Sequence, residues 1–344
     1  MDLSTLKEQA QSLLTTEPHL RIKNVADKLG VSERDLVQAE CCGVRSVFLG
    51  TQFREIFRRL GELGHVMALT RNPWCVHEKQ GNYEKISVGK APVGLVLGAD
   101  IDLRLFLSNW QTVWAVSQDS RHSIQFFDKA GVAIHKVYLT EKTNNEAFHQ
   151  LIADFTSSEL VPPLEDITVH HQYTSQAPSE LRDEWLSMQD THDFFPLLQK
   201  WNIHRLTALA SAGNDLAQKL ENPTSIIEKI LTHTANTHLP IMCFVGNPHL
   251  IQIHTGPIQK LLRTGPWFNV LDPTFNLHLN TNDIASAWVV NKPSQDGWVT
   301  SLELYEKGGE MIAQFFGARK PGNPELPEWR QLMLSICSKP LKSD

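Results

Sequence analysis

No apolar run in this 344-residue chain approaches the length of a membrane-spanning helix. The longest runs, such as Val93–Leu97, fall far short of the roughly 20 residues needed to cross a hydrocarbon core of about 30 Å. Lys7 and Glu8 interrupt what would have to be the apolar region of a secretory signal, so a cytoplasmic protein is expected. Only five cysteines occur (Cys41, Cys42, Cys75, Cys243 and Cys337), at unrelated spacings and with no C-x-x-C pair. That removes the usual patterns of structural zinc and dithiol redox chemistry and leaves reduced thiols. A Gly-rich dinucleotide fingerprint is also missing, so electrons for any redox chemistry would come from an external reductant or reductase. Positive charge is in deficit. Lys and Arg total 32 against 38 Asp and Glu, a formal charge of −6, and the molecule as a whole does not attract a polyanion.

Hydrophobic residues at 41% and charged residues at 20% give the balance of a folded globular protein. The length exceeds one ordinary core and suits two domains of about 170 residues each. Fifteen histidines and nine tryptophans are the unusual part of the composition. Both types serve planar, iron-bearing ligands, although most of either kind are ordinary surface or core residues.

A shift of about 174 residues superposes most of the chain on itself, the signature of an internal duplication. Phe53, Ile56, Phe57, Leu60 and Leu63 stand at helical spacing, and their copy is Ile226, Ile227, Ile230 and Leu231. Each set precedes an apolar strand broken at Asn-Pro, a turn signal: Met67 to Asn72-Pro73 in one copy, Ile241 to Asn247-Pro248 in the other. His77 and Gly81 then fall opposite Gln252 and Gly256, Asp102-Leu-Arg104-Leu opposite Asn276-Leu-His278-Leu, and Trp114 opposite Trp288. Ser123 to Gly131 matches Ser301 to Gly309 at a shift of 178, which places four extra residues in an Asn291–Asp296 loop. Both copies read as hairpins, completed by Ile134–Leu139 or Met311–Phe316 and closed by helices near Glu146–Phe155 or Pro327–Ser338. Helices first, then mostly antiparallel strands, is an α+β pattern. The expected organisation is a first repeat over residues 1–157, a connector over 158–178 and a second repeat over 179–344. Fused copies of this kind form a cleft where they meet, a frequent place for ligands.

The sharpest contrast between the copies precedes the second one, where Met188-Gln-Asp-Thr-His192-Asp-Phe-Phe195 leads into His204 and Arg205. The first copy has His19 to Val25 there, leading into Arg34. His192 sits at a helix start flanked by two phenylalanines, and a neutral imidazole beside an apolar wall is the usual protein ligand for haem iron. The alternative is a helix-end or packed histidine. Arg104 lies on the polar face of an alternating strand with Asp102. It is either an exposed strand arginine or a guanidinium reaching the open face of an iron ligand. Lys292 in the inserted loop, Gln314-Phe-Phe-Gly-Ala-Arg319-Lys320 after a strand, and Arg205 are candidates for pairing with carboxylates, against the simpler reading of solvated cations.

Val25–Ala39 has the look of a helix-turn-helix, with Gly30 at the turn and Ser32 as N-cap. Its second helix carries Glu33 and Asp35, so phosphate binding lacks an electrostatic basis and plain helix packing is favoured. The pairs His170-His171, His233/His238 and His249/His254 lack the spacing or companion cysteines of a zinc site.

Four segments in order across the repeat resemble one family: Gly98-Ala-Asp-Ile-Asp-Leu-Arg104-Leu-Phe106, His192-Asp-Phe-Phe-Pro-Leu-Leu, Asn276-Leu-His-Leu, and Gln314 to Gly322. It is the HemS/ChuS/ShuS/PhuS family of bacterial haem-handling proteins, often labelled hemin-degrading factors. The resemblance covers nearly the whole chain. It implies two similar halves, each with a large curved antiparallel sheet flanked by helices, the sheets stacking to leave a haem cleft. It further implies His192 as the axial iron ligand and Arg104 at the other haem face. Arg205, Lys292, Gln314 and Arg319 would hold the propionates or line the pocket, with Phe106 and Phe244 as pocket walls. The partners implied are haem, the haem ABC transporter, and a haem oxygenase or a reductase, in a monomer or homodimer that neither enters a membrane nor binds nucleic acid. Haem degradation with iron release and a carrier role without turnover both remain open, as does a second haem in the first half through His77 or His19.

Overall fold

A computed structural model describes residues 3–168, 172–320 and 322–343; the His170-His171 pair lies outside the described residues. The first copy contains helices α1 (Leu3–Thr16), α2 (Ile22–Leu29), α3 (Glu33–Gln38), α4 (Phe53–Arg58) and α5 (Asn145–Phe155). Its strands are β1 (Val44–Phe48), β2 (Gly64–Arg71), β3 (Cys75–Asn82), β4 (Ile86–Ser87), β5 (Val93–Leu97), β6 (Asp102–Phe106), β7 (Trp110–Gln118), β8 (Arg121–Asp128) and β9 (Ala133–Thr143). The second copy contains α6 (Leu181–Leu186), α7 (Phe194–Trp201), α8 (Arg205–Ser211), α9 (Pro223–Thr237) and α10 (Pro327–Ile336). Its strands are β10 (Ala217–Lys219), β11 (Ile241–Asn247), β12 (Leu250–Gly256), β13 (Leu261–Thr264), β14 (Trp267–Leu271), β15 (Phe275–Asn280), β16 (Ser286–Ser294), β17 (Gly297–Tyr305) and β18 (Met311–Gly317).

The strands form two nine-stranded sheets, in the orders β1-β7-β8-β9-β2-β3-β15-β14-β13 and β10-β16-β17-β18-β11-β12-β6-β5-β4. Replacing every strand of the first order by its counterpart in the other copy reproduces the second order. The α+β duplication read from the sequence is therefore present, with strands of both copies in each sheet. By contacts the chain divides into two units, Met1–Arg71 with Glu78–Thr168 and Gly246–Gln252, and Asn72–His77 with Val169–Val245 and Ile253–Asp344.

In the first unit, Ile56, Phe57, Leu60 and Leu63 bury one helical stripe against Trp110, Val113 and Phe126. The Phe57 ring lies 5.7 Å from Trp110 and 5.5 Å from Phe126, where such aromatic pairs add about 0.5–1.5 kcal/mol each beyond burial. The α-helix stops at Arg58 and continues as a 3₁₀ turn, Arg59–Leu63. Gly61 lies inside that turn and approaches the Tyr83 carbonyl so closely that a Cβ would stand 3.1 Å from it. In the second unit, Ile227, Ile230 and Leu231 of α9 pack with Leu302, Leu304, Phe315 and Trp329. Helices α2 and α7 are each eight residues long and end on a left-handed residue, Gly30 (φ 65°) and Asn202 (φ 48°). Matching them end to end puts Leu20 where the second copy has His192.

The expected hairpins are present, with Ser123 opposite Tyr138 in one copy and Ser301 opposite Phe316 in the other. The expectation of a loop around Lys292 is overturned. The extra residues lengthen the β16–β17 hairpin, pairing Lys292 with Val299, Pro293 with Trp298 and Ser294 with Gly297, so that only Gln295 and Asp296 turn. Lys292 is a buried strand residue whose ammonium reaches Glu303, and that ion pair supplies the reason a lysine can stand there.

Candidate functional site

His192 occupies a 3₁₀ turn, Thr191–Asp193, that feeds directly into α7. Asp190 caps the turn: its Oδ1 accepts from the His192 backbone N–H at 2.8 Å and from His192 Nδ1 at 2.6 Å. Asp193 closes the box by accepting from the backbone N–H of Gln189 and of Asp190, at 3.2 and 3.0 Å. The backbone donor from His192 is the main reason the Asp190 carboxyl lies below its ordinary range. A carboxylate on Nδ1 fixes the tautomer and turns Nε2 outward as a lone-pair donor, the arrangement of an imidazole ready to take a metal. The side chain is 88% exposed. Of the two flanking phenylalanines, Phe195 is exposed and Phe194 turns into the core.

Beneath Phe194 lies a buried carboxylate, Glu303. Its Oε1 meets Arg205 Nη2 at 2.6 Å, Lys292 Nζ at 3.3 Å, Gln314 Nε2 at 3.0 Å and Ser301 Oγ at 3.0 Å. Its Oε2 accepts from Arg205 Nε at 2.8 Å and Tyr305 Oη at 2.5 Å. Burial alone would raise the Glu303 pKa, but Arg205 and Lys292 outweigh it and hold the group well below the carboxylate range. Burial pushes the Lys292 ammonium down to about 8, with Glu303 opposing the shift and Arg205 adding to it. Three residues assigned to propionates by resemblance are thus gathered on one internal carboxylate. Glu303 and Asp190 were missed by sequence reasoning. Asp190 stands two residues before His192, a spacing that signals it; nothing local marks Glu303, whose partners come from three other elements.

In register, Lys219, Trp288, Glu303, Gln314 and Phe244 form one row across β10, β16, β17, β18 and β11. Phe244 is half-buried, its ring 5.0 Å from that of Phe316 and tilted by 51° to it. Arg319, just after β18, bonds Asp296 in the hairpin turn at 2.9 Å and lowers the Asp190 pKa electrostatically. The same turn touches the His192 segment through Gln295 N and Gln189 O at 2.8 Å. His192, Arg205, Lys292, Gln314, Arg319 and Phe244 therefore all belong to the second unit.

Arg104 and Phe106 belong to the first unit, on β6. Val93 pairs with Phe106, Leu95 with Arg104 and Leu97 with Asp102, so these six residues share one face. Val93, Leu95, Leu97 and Phe106 are all exposed there, while the opposite face, with Val96, Leu103 and Leu105, is buried. Arg104 is half-buried and paired with Asp102. The result is an apolar sheet surface with one guanidinium on it. Val93, Leu95 and Leu97 were missed because a strand apolar on both faces reads as fully buried. The β6 end is fixed by His249, whose carbonyl accepts from Phe106 N at 2.9 Å and Trp110 Nε1 at 3.3 Å while its Nε2 bonds buried Asp128 at 3.1 Å.

The remaining candidates lie elsewhere. His77 is fully buried with its ring 5.0 Å from Phe275, and His19 is exposed before α2. Glu33 and Arg34 of the helix-turn-helix pattern are buried. No cluster of three metal-ligating side chains occurs among the described residues, and no described helix is long and apolar enough to cross a membrane. An open groove of about 620 Å³ runs between α9 and α10, lined by Leu326, Leu332 and the His233/His238 pair set aside above as a zinc site.

Comparison with known proteins agrees with the duplicated fold. The sequence model of the haemin-degrading HemS.ChuX domain matches residues 30–155 and 202–335, one match per copy. Hemin transport protein HemS of Yersinia enterocolitica is 36% identical over 342 residues, covering 97% of this chain and 98% of that protein. The crystal structure of holo-PhuS, a heme-binding protein from Pseudomonas aeruginosa, superposes with a TM-score of 0.93 at 42% identity, over 99% of this chain and all of that one. ChuS of Escherichia coli O157:H7, described as a heme degrading enzyme, superposes with a TM-score of 0.91 at 34% identity, over 98% of this chain and 100% of that one. With two matched domains covering most of its length and a relative 36% identical from end to end, the chain belongs to the haemin-degrading HemS/ChuX family.

Proposed function

We propose that this protein is a cytoplasmic haem-handling protein of bacterial iron acquisition, taking haem as cargo with His192 Nε2 on the iron and contributing to its breakdown with release of iron. The observation that carries the reading is the exposed imidazole of His192, held by Asp190 on one nitrogen and offering the other. The exposed apolar face of β5 and β6 fits the same cargo, since a porphyrin plane is apolar over most of its area and Arg104 adds a donor for an iron-bound oxygen atom. Arg205 and Lys292 together carry two positive charges against the single negative charge of Glu303. The residual charge suits a propionate, with Gln314 and Arg319 beside it and Phe244 on the same row. Haem supplies the oxygen chemistry when bound; the protein's part is to hold the iron from one side, orient the ring and place a hydrogen-bond donor.

The carrier reading, delivery of haem to a separate oxygenase, is supported by the transport role in the name of HemS, as the degrading reading is by ChuS. Titration of the purified chain with hemin is expected to give a saturable one-to-one Soret band. The complex is then incubated in air with ascorbate. Loss of the Soret band with release of iron and a ring-opened tetrapyrrole supports degradation, and an unchanged spectrum supports the carrier. Absence of saturable hemin binding contradicts both.

A further inference from the structure

Within three residues the chain passes from an imidazole that is 88% exposed to a phenylalanine ring that is 1% exposed. Phe194, the first residue of α7, is therefore the nearest core anchor of the His192 turn. Its ring packs against Trp185 at 4.5 Å, and the Trp185 indole N–H donates to the Asn291 carbonyl at 3.0 Å. Two cations meet the same ring: Arg205 Cζ at 4.8 Å and Lys292 Nζ at 4.7 Å from its centroid. Both are tied to Glu303, which also takes hydrogen bonds from Ser301, Gln314 and Tyr305. Two like charges do not stay side by side against one ring without a counter-ion, and Glu303 is the only carboxylate bonded to either of them among the described residues.

We infer that Glu303 is a positioning residue for the iron ligand: by holding Arg205 and Lys292 against Phe194 it fixes the first turn of α7, and with it the direction of the His192 imidazole. The inference rests on the haem reading above and deepens it, since no atom of Glu303 touches His192. Asp190 fixes the imidazole from the upstream side and sets its tautomer. Phe194 fixes it from the downstream side and sets where it points. A ligand anchored at both ends loses little rotational freedom when iron binds, which raises affinity without adding a contact.

The test compares the full chain with E303Q, E303D and F194L, reading the Soret maximum and the electron paramagnetic resonance of the ferric hemin complex, with H192A as reference. E303Q is expected to bind hemin about tenfold more weakly or worse, with the spectrum of H192A in a large fraction of the sample. E303D, which keeps the charge, is expected to return most of the parental spectrum. F194L keeps the carboxylate and its cations but removes the ring between them and the turn, and is expected to resemble E303Q. A parental spectrum in folded E303Q, or an E303D spectrum no closer to the parent than that of E303Q, overturns the inference. Should E303Q not fold, F194L decides alone, and a parental spectrum there overturns it equally. If the parent itself does not bind hemin, it is the haem reading that has failed, and the inference falls with it.

Discussion

The two copies carry the same row of five positions across their sheets and have filled it differently. In the second copy the row is Lys219, Trp288, Glu303, Gln314 and Phe244; in the first it is Phe48, Trp114, Gln125, Lys136 and Leu69. The second copy places a carboxylate on the strand and a cation, Arg205, on the helix after the turn. The first reverses this: Glu33, first residue of α3, is the carboxylate, and Lys136 on β9 and Arg71 on β2 are its cations. Each copy thus sets two cations, one buried lysine and one half-buried arginine, on one buried carboxylate, and the net charge survives while its components trade places. What differs is the turn before the hub, where Leu20 stands in one copy and His192 in the other. The end of the sheets shows the opposite asymmetry. Arg104, across from Leu95 on an exposed apolar face, corresponds to His278, across from Asn269 and bonded to it at 2.7 Å. At both places the copies share a backbone position and differ in the side chain that fills it, so the architecture is common to the two copies and the candidate residues are not.

The largest expected effect tests whether the two hubs are equal in structure but not in function. Burial works to raise the Glu33 pKa, yet Lys136 and Arg71 hold it down to about 2, so Glu33 contributes stability above pH 4.5 that is lost as pH falls through 2. E33Q leaves the buried Lys136 and the half-buried Arg71 without their carboxylate and is expected to lower the unfolding free energy by about 3–5 kcal/mol in urea denaturation, with the hemin spectrum unchanged. A shifted Soret band in folded E33Q would break the comparison.

Next in size is a group that the first copy lacks. Glu325 accepts from the Thr300 amide and hydroxyl, whereas His122, at the position of Thr300, bonds Ser117 instead. Burial pushes the Glu325 carboxyl up to about 7. Between about pH 4.5 and 7 the folded chain therefore keeps a proton that the unfolded chain releases, and stability falls as pH rises through that window. E325Q is expected to be more stable than the parent by about 2–3 kcal/mol at pH 8 and about equal at pH 4.5, as read from paired denaturation curves. A variant equally destabilised at both values would mean that the Thr300 bonds need the anion.

Smaller effects concern the cargo. D190N removes the carboxylate from His192 Nδ1 and is expected to weaken hemin binding about 10- to 100-fold in an absorption titration, with little change in stability. R104A is expected to change the spin state of the ferric complex more than its affinity, and H278A to change neither. If H278A alters the complex as much as R104A does, the sheet ends are not specialised as described.

Much of the fold was legible in the sequence because its signals are local. Asn72-Pro73 and Asn247-Pro248 break the strands where expected, and alternation in Ser123–Asp128 and Ser301–Tyr305 fixes the hairpins. The sheet order was not legible, because one neighbour of β15, strand β3, and one neighbour of β6, strand β12, lie far away in sequence and no local pattern encodes a distant partner. Asn291–Asp296 read as a loop because the four extra residues of the second copy fall there, yet the hairpin needs only Gln295 and Asp296 to turn. His192 was singled out by its place at a helix start beside two phenylalanines and Arg104 by the resemblance of its strand to the family, both of them local signals. Glu303 was not, because its meaning comes from Arg205 and Lys292, which are 98 and 11 residues away.

The central claim is that His192 binds the iron, and resonance Raman of the ferrous hemin complex tests it most directly. An iron–imidazole stretch in the parent that disappears in H192G and returns when free imidazole is added is the predicted result. The same stretch in H192G without added imidazole would show that another residue holds the iron and would contradict the account.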